Sequence, residues 1–385
     1  MTVTIPAGIE LTPEEARQIE FLQSKIGTKL DDPNPLNAYH GQTPFFREAN
    51  IDAIFHYAWG IDDLNPMWTD PEYARKTPPG TIVAPPSFLF PAAPGGMSGS
   101  QFFGLGAIFG EHETWGGADL KWYDWIRLGT RISTETHLKD VVVKRSRLSG
   151  MLLQLIGHSR YLDDEGRLLA ESDSWIFRKR KYQYGTEVSA IKLQEWSREE
   201  VDELRARKAS EKPRGAEPRF WDDVREGDSF TLLKGPYSMM SNYCYLSLWH
   251  PTHMWRGDVP WSDLDTRAPG PLGFPDVRNP HYDTADAKTK GLPGAFDYGP
   301  QRHSWSSQLL TNWMGDDGFL ESLSFRVKGF NFIGDLQIFT GTVTGKRREE
   351  DRCLVECSIA ARNQRGEDTG DGSAVVRLPS RHVAS

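Results

Sequence analysis

The pattern of hydrophobic and polar residues changes along the chain, and each pattern predicts a different kind of element. TPEEARQIEFLQSKIG near the start has helical spacing, with Thr12 as N-cap, Pro13 in the first turn and Glu15 completing a capping box. EANIDAIFHYAWG predicts a second helix. From residue 117 onward, branched and aromatic residues alternate with polar ones, which predicts an antiparallel strand meander with a turn at DDEG.

The stretch after these strands is densely charged and ends in Pro and Gly. Ser197 and Glu200 in SREEVDELRARKASEKPRG form a capping-box pattern, so we expect a solvated linker helix. The order of elements then repeats: strand-like EGDSFTLLKGPYSMM, helical SNYCYLSLW, helix QRHSWSSQLLTNWMG, and strands to GSAVVRLP. RLGTRISTETHLKDV also resembles FIGDLQIFTGTVTGK, with Gly129 against Gly334.

This repetition predicts an α+β protein of two halves, each wrapping one helix in a curved antiparallel sheet. We place the first domain at residues 1–181, the linker at 182–216 and the second domain at 217–385.

Composition narrows the possible functions. The 385 residues carry a net charge of −8, which argues against general affinity for nucleic acid or anionic membranes. No apolar run approaches the roughly 18 residues of a membrane helix, and MTVTIPAGIELT has no export signal, so we expect a cytoplasmic protein. Cys353 and Cys357 lie four apart in a predicted strand, about 13 Å, too far to form a disulfide.

One phrase occurs twice, as DLNPMWTDPEYA at 63–74 and DVRNPHYDTADA at 276–287. The copies align at one constant offset of 213 residues, pairing Asp63 with Asp276, Asp70 with Asp283, and Ala74 with Ala287. Asp70 precedes Pro71, and Asp283 precedes TADAKTKG, so these two aspartates are predicted to cap short helices. The alanines are expected to face inward. The copies differ at Trp68 and His281.

The repeated phrase resembles the motif of the MaoC-like (R)-specific enoyl-CoA hydratases and dehydratases, Asp-x-Asn-Pro-x-His-x-Asp with an alanine four residues later. The first copy keeps everything but the histidine, which is Trp68. The second copy keeps His281, but its Asn279-Pro280 is displaced by one position. VAPPSFLF and FDYGPQRHSW extend the resemblance over nearly the whole chain.

The resemblance implies a double hot-dog fold in which the second half is catalytic. His281 with Asp276 would activate water, and a backbone amide at Gly299 would bind the thioester carbonyl at a helix N-terminus. The first half would shape the acyl pocket. There FPAAPGGMSGS breaks the expected central helix, so segment 87–110 either widens the acyl tunnel or forms an ordinary surface loop.

The predicted activity is reversible hydration of a 2-enoyl-CoA without metal or redox cofactor, in a homodimer or larger assembly. Asp258 is the rival carboxylate, and the long insertion before the second motif is expected to form a lid or rim. His250 and His253 are a weak metal pair because Pro251 interrupts their helix. His303 is expected on a polar helix face or in a supporting position.

Two other functions stay open. A hot-dog thioesterase would release free coenzyme A, and a non-catalytic acyl-thioester-binding scaffold would bind without turnover.

Overall fold

The computed structural model describes residues 5–30, 46–92, 113–146, 150–179, 186–249 and 280–382. Asp276, Asp258, His250 and His253 lie outside the described residues, and so do most of segment 87–110 and the predicted lid or rim.

The first half and the linker contain short helices followed by long strands. They are α1 (Pro13–Ser24), β1 (Lys29–Leu30), α2 (Ile51–Gly60), α3 (Pro66–Thr69), α4 (Pro71–Ala74), a 3-10 turn (Pro86–Phe88), α5 (Leu89–Ala92), β2 (Glu113–Trp122), β3 (Ser133–Ser146), β4 (Gly150–Leu162), β5 (Leu168–Lys179), α6 (Thr186–Ser189) and α7 (Arg198–Ser210).

The second half repeats this plan with one long helix. Its elements are a 3-10 turn (Trp221–Asp223), β6 (Ser229–Lys234), α8 (Met239–Trp249), α9 (Thr284–Thr289), α10 (Gly299–Met314), β7 (Phe319–Val327), β8 (Gln337–Glu349), β9 (Arg352–Arg362) and β10 (Asp368–Arg377).

The strands form one antiparallel sheet in the order β1-β3-β4-β5-β2-β7-β10-β9-β8-β6. Each half supplies five neighbouring strands, and the halves join edge to edge where β2 pairs with β7. Ala118 lies opposite Phe325 and Leu120 opposite Leu323 at this junction. The predicted α+β class is confirmed.

The central helix of the second half is α10, which is buried along almost its whole length. Its apolar residues Trp305, Leu309 and Leu310 pack in the main core against the inner face of the sheet. The matching stretch of the first half is only the 3-10 turn and α5 in the described residues. Pro86 and Pro91 in this stretch lack the N–H that a regular helix needs.

The helices predicted from capping patterns are present. Thr12 and Glu15 form a reciprocal capping box at the start of α1, and Ser197 and Glu200 form another at the start of α7. α7 buries none of its residues, so the predicted helix is present and solvated.

Three side chains of the second half hold the turn that follows α2 in the first half. The buried Lys234 ammonium donates to the main-chain oxygens of Ile61 and Asp62 at 3.2 and 2.7 Å. The Trp305 indole donates to the Ile61 oxygen at 3.0 Å, and the Gln308 amide donates to the Asp62 oxygen at 3.0 Å. Carbonyl groups at the end of a helix have no donor within the helix, and these bonds supply one.

No helix in the described part of the chain is long and apolar enough to span a membrane. Cys353 and Cys357 both lie in β9, as predicted, and are free thiols.

Candidate active site

The last aspartate of each repeated phrase caps a short helix. Asp70 accepts hydrogen bonds from two backbone N–H groups of α4 at 2.9 and 3.2 Å. Asp283 accepts the equivalent pair from α9 at 2.8 and 3.1 Å. Ala74 and Ala287 are fully buried. The predicted structural roles of these four residues are confirmed.

His281 lies directly beside the chain that leads into α10. Its imidazole stacks on the Tyr298 ring, with centroids 3.9 Å apart and planes 20° apart, and it also contacts the Phe296 ring at 4.2 Å. Nδ1 lies 3.1 Å from the Phe296 carbonyl oxygen. A carbonyl only accepts, so Nδ1 carries the proton in the neutral ring and Nε2 is the basic nitrogen.

Asn242 on α8 fixes the backbone of the second motif, a role that the sequence did not reveal. Its side-chain amide donates to the main-chain oxygen of His281. Asn242 is fully buried, and its Oδ1 has no hydrogen-bond partner among the described residues. The contact joins positions 39 residues apart, so no local pattern signals it.

Gly299 is the first residue of α10, and its N-cap, Tyr298, makes no side-chain capping bond. A Cβ at Gly299 would lie 2.4 Å from a ring carbon of Trp115, so a side chain at this position would clash. The start of α10 offers an amide and the positive end of a helix dipole. Since His281 stacks on the residue before Gly299, the structure brings these two predicted site residues together.

A buried ion pair anchors the same segment. The Arg302 guanidinium contacts the Asp297 carboxylate, with Nε 2.7 Å from Oδ2, and donates through Nη1 to the main-chain oxygen of Thr369 at 3.0 Å. The Asn331 amide donates to Asp297 at 2.8 Å. Burial raises the pKa of Asp297, while Arg302 and Asn331 act in the opposite direction. These contacts hold the residues on both sides of Gly299.

The first copy of the phrase places a carboxylate and an indole at the matching positions. Asp63 and Trp68 are both buried. Asp63 accepts a hydrogen bond from the Asn65 N–H at 3.3 Å. Burial raises the pKa of Asp63 to about 6, although Trp68 and Lys234 lower it. An indole cannot exchange a proton near neutral pH, so this copy has no base equivalent to His281.

The constant offset between the copies continues beyond the phrase. Ala84 N–H donates to the Ile126 oxygen at 2.8 Å, and Asp297 N–H donates to the Asn331 oxygen at 3.1 Å, in the same local geometry. At this offset Pro86 stands where the second half has Gly299. Proline has no N–H to donate. Extending the sequence alignment by a few residues would have revealed this difference.

His303 does not lie on a polar helix face, so that expectation is wrong. The residue is fully buried on α10, one turn after Gly299, because α10 is enclosed by both halves. The rings of Phe90, Trp115 and Phe325 surround it, with centroids 5.5 to 6.3 Å away. Burial lowers the pKa of His303 to about 3, so its imidazole is neutral.

Residues 44–172 match the family model of the FAS1-like, dehydratase domain region. No curated protein sequence matches the chain significantly.

Three solved structures share the overall fold. A MaoC-like dehydratase is 15% identical with a TM-score of 0.63, over 93% of this chain and 99% of that chain. A putative MaoC domain protein dehydratase from Chloroflexus aurantiacus is 12% identical with a TM-score of 0.60, over 94% and 97%. A conserved hypothetical protein from Mycobacterium tuberculosis, described as a double hot-dog fold, is 9% identical with a TM-score of 0.53, over 93% and 97%.

The chain therefore has the double hot-dog fold, and its resemblance to MaoC-like hot-dog dehydratases is confirmed.

Proposed function

We propose that the protein catalyses the reversible hydration of a 2-enoyl-CoA thioester to a 3-hydroxyacyl-CoA, at one active site in the second half. The observation that carries this proposal is the position of His281, which stacks on Tyr298 directly before the open N-terminus of α10. A titratable ring and a carbonyl-binding amide are thus provided by adjacent parts of the same half.

His281 acts as the base on water. Its Nδ1–H is held by the Phe296 carbonyl oxygen, so Nε2 receives the proton of a water molecule. Asp276 orients the same water, a role taken from the family motif. The hydroxide equivalent adds to C3 of the enoyl group.

The start of α10 stabilises the intermediate. Addition at C3 pushes the electron pair of the double bond towards the thioester carbonyl, which becomes an enolate. The Gly299 N–H and the dipole of α10 bind that oxygen, and they bind it more strongly as negative charge develops. A proton then returns to C2, which completes the addition of water. Dehydration is the same path in reverse. The elements of water are added across the double bond with no net oxidation or reduction, so the reaction requires no redox cofactor.

The first half lacks two of the three groups that this mechanism uses. Trp68 stands where His281 would be, and Pro86 stands where Gly299 would be. Asp63 alone, with its pKa raised to about 6 by burial, has neither a partner base nor an amide to hold the enolate.

Turnover of a panel of 2-enoyl-CoA thioesters tests the proposal. Loss of the conjugated enoyl absorbance and release of free thiol would be followed together for wild type, His281→Ala and the matched control Trp68→Ala. We expect His281→Ala to lower kcat by about 10³-fold, a typical loss for a general base. Trp68→Ala should keep hydration in the molecules that remain folded.

Two outcomes would contradict the proposal. Thiol release without hydration would assign the protein to the thioesterases. Equal hydration by wild type and His281→Ala would show that the second motif does not carry the chemistry.

A further inference from the structure

Hydroxyl side chains cross the inner face of the first-half sheet. Thr136 on β3, Ser159 on β4 and Ser172 on β5 lie opposite one another in register, and Ser174 lies one inner position further along β5. All four are almost completely buried. Thr136 and Ser159 hydrogen-bond each other at 2.8 Å, and Ser172 bonds the Tyr161 hydroxyl at 3.2 Å, so each of these hydroxyls has one partner and can take another. We call these four residues the hydroxyl row. They face the same side as the core residue Leu120, which pairs with Ser172.

The second half has no such row at the matching positions. The offset that pairs Gly129 with Gly334 pairs Thr136 with Gly341. Strand pairing then leads from Gly341 to Ile359 and on to Gly372, and Ala374 matches Ser174. All four of these residues are apolar or lack a side chain. That face packs against α10 in the main core. The hydroxyls are therefore not a requirement of the hot-dog sheet.

The hydroxyl row reaches the proposed active site at His303. Ser174 pairs with Ala118 on β2, and Ala118 pairs with Phe325 on β7. The Phe325 ring lies 6.3 Å from the His303 ring, so His303 sits over this crossing point. His303 is four residues after Gly299 on α10, which places it about 6 Å further along the helix axis.

His303 is a buried polar group with unused hydrogen-bonding capacity. Neither of its ring nitrogens makes a hydrogen bond to a residue that the structure describes. The backbone of Ala118 acts on the ring in the opposite direction to burial and raises the pKa of His303. Burial, the dominant effect, keeps the ring neutral, so one nitrogen donates and the other accepts. Leaving both buried without partners is unfavourable.

The charges on this face favour an uncharged ligand group. Along β5, the next cation on the inner face is Arg178, four residues from Ser174, about 13 Å away. A carboxylate bound near His303 would be buried without a close cation, which is costly. Hydroxyls and a neutral imidazole suit a hydroxyl or a carbonyl oxygen.

We propose that His303 and the hydroxyl row bind an uncharged oxygen function on the acyl group, so that the substrate is an oxygenated 2-enoyl thioester. This inference rests on the proposed hydration for its reaction, and on the geometry of the first half for its specificity. His303 is a specificity-determining residue. The oxygen that it binds is not the thioester carbonyl oxygen; it lies further along the acyl group, on the side of the first half.

The test compares 2-octenoyl-CoA with analogues that carry one hydroxyl group at C5, C6, C7 or C8, or one keto group at C5, C6 or C7. Hydration by the full chain is measured for wild type, His303→Phe and Ser174→Ala. The first change installs the residue that the first half has at Phe90, and the second installs the residue that the second half has at Ala374. Ser358→Ala, an exposed serine of β9, is the matched control. Saturated acyl-CoA thioesters with the same oxygen groups provide a binding measurement that is independent of turnover.

We expect wild type to favour at least one oxygenated analogue by about tenfold in kcat/KM, the effect of one hydrogen bond. His303→Phe should lose this preference and Ser174→Ala should weaken it, while both still hydrate plain 2-octenoyl-CoA. Ser358→Ala should change neither the preference nor the hydration. Hydration with no preference, or with a preference that His303→Phe keeps, would overturn the inference and leave the proposed function intact. Absence of turnover with selective binding that His303→Phe removes would support the inference and overturn the hydratase function. Absence of turnover and of selective binding would overturn the inference and the hydratase function together.

Discussion

From Ile82 to Ala84 the first half makes the same backbone hydrogen bonds as the second half makes from Ala295 to Asp297. The next two residues are Pro85 and Pro86 in one half and Tyr298 and Gly299 in the other. In the second half the Tyr298 ring stacks on His281, and a long helix begins at Gly299 without a side-chain cap. In the first half a 3-10 turn follows. The same backbone path thus leads to a stacked histidine and a long helix in one half, and to two prolines and a short turn in the other.

The largest expected effect comes from the ion pair that only the second half has. The first half carries Ala84 and Leu89 at the positions of Asp297 and Arg302. Arg302→Leu would leave the buried Asp297 carboxylate without its cation, so we expect a loss of about 3 to 5 kcal/mol in the free energy of unfolding. Urea unfolding at neutral pH measures it.

The double variant Asp297→Ala with Arg302→Leu copies the first half and is the control. Removing both charges leaves no unpaired buried carboxylate, so it should be more stable than Arg302→Leu alone. A double variant that is less stable than the single one would show that Asp297 stabilises the fold even without its cation, through contacts such as the hydrogen bond from the Asn331 amide.

The second prediction concerns a substitution that places proline, the residue of the first half at Pro86, at the matching position Gly299. In a Trp115→Leu background, which makes room for a side chain at residue 299, Gly299→Pro removes the N–H and Gly299→Ala keeps it. We expect Gly299→Pro to lower kcat for 2-enoyl-CoA hydration by about 10²- to 10³-fold relative to Gly299→Ala, because the enolate loses its donor. Equal kcat values in the two variants would move the oxyanion site away from this amide.

The smallest expected effect concerns Asp63, the first aspartate of the repeated phrase in the first half. Asp63 has an ordinary pKa of 3.8 in the unfolded chain and about 6 in the folded protein, so the folded state favours its protonated form. Its contribution to stability is present below pH 3.8 and is lost as the pH rises through about 6. Two pKa units correspond to about 3 kcal/mol.

Asp63→Asn removes this dependence. The variant should match wild type near pH 4 and exceed it in unfolding free energy near pH 7, as measured by thermal or urea unfolding across that range. A constant difference between the two proteins at every pH would mean that the pKa of Asp63 is not raised by burial.

Local patterns predicted the elements whose causes are local. Thr12 and Ser197 start α1 and α7 because their capping boxes satisfy backbone groups within three residues. Asp70 and Asp283 cap helices for the same reason. The repeated phrase also singled out His281, which lies beside the start of α10, because the order of elements is the same in both halves.

Contacts between distant segments were not predictable from such patterns. The buried position of His303 depends on Phe90 and Trp115 of the other half, so its sequence neighbours suggested a polar face instead. Asn242 and the pairing of Asp297 with Arg302 likewise depend on packing. The hydroxyl row was hidden because ordinary alternation in a strand does not reveal which polar residues face inward.

The junction of β2 and β7 has an evolutionary consequence. After duplication, mutation could erase the chemistry of one copy without loss of fitness, because the other copy still carried it. A first half without chemistry could still not be discarded, since β7 would then become an unprotected nine-residue edge, prone to aggregation. Selection thus retains the first half as a physical neighbour, free to acquire a different duty.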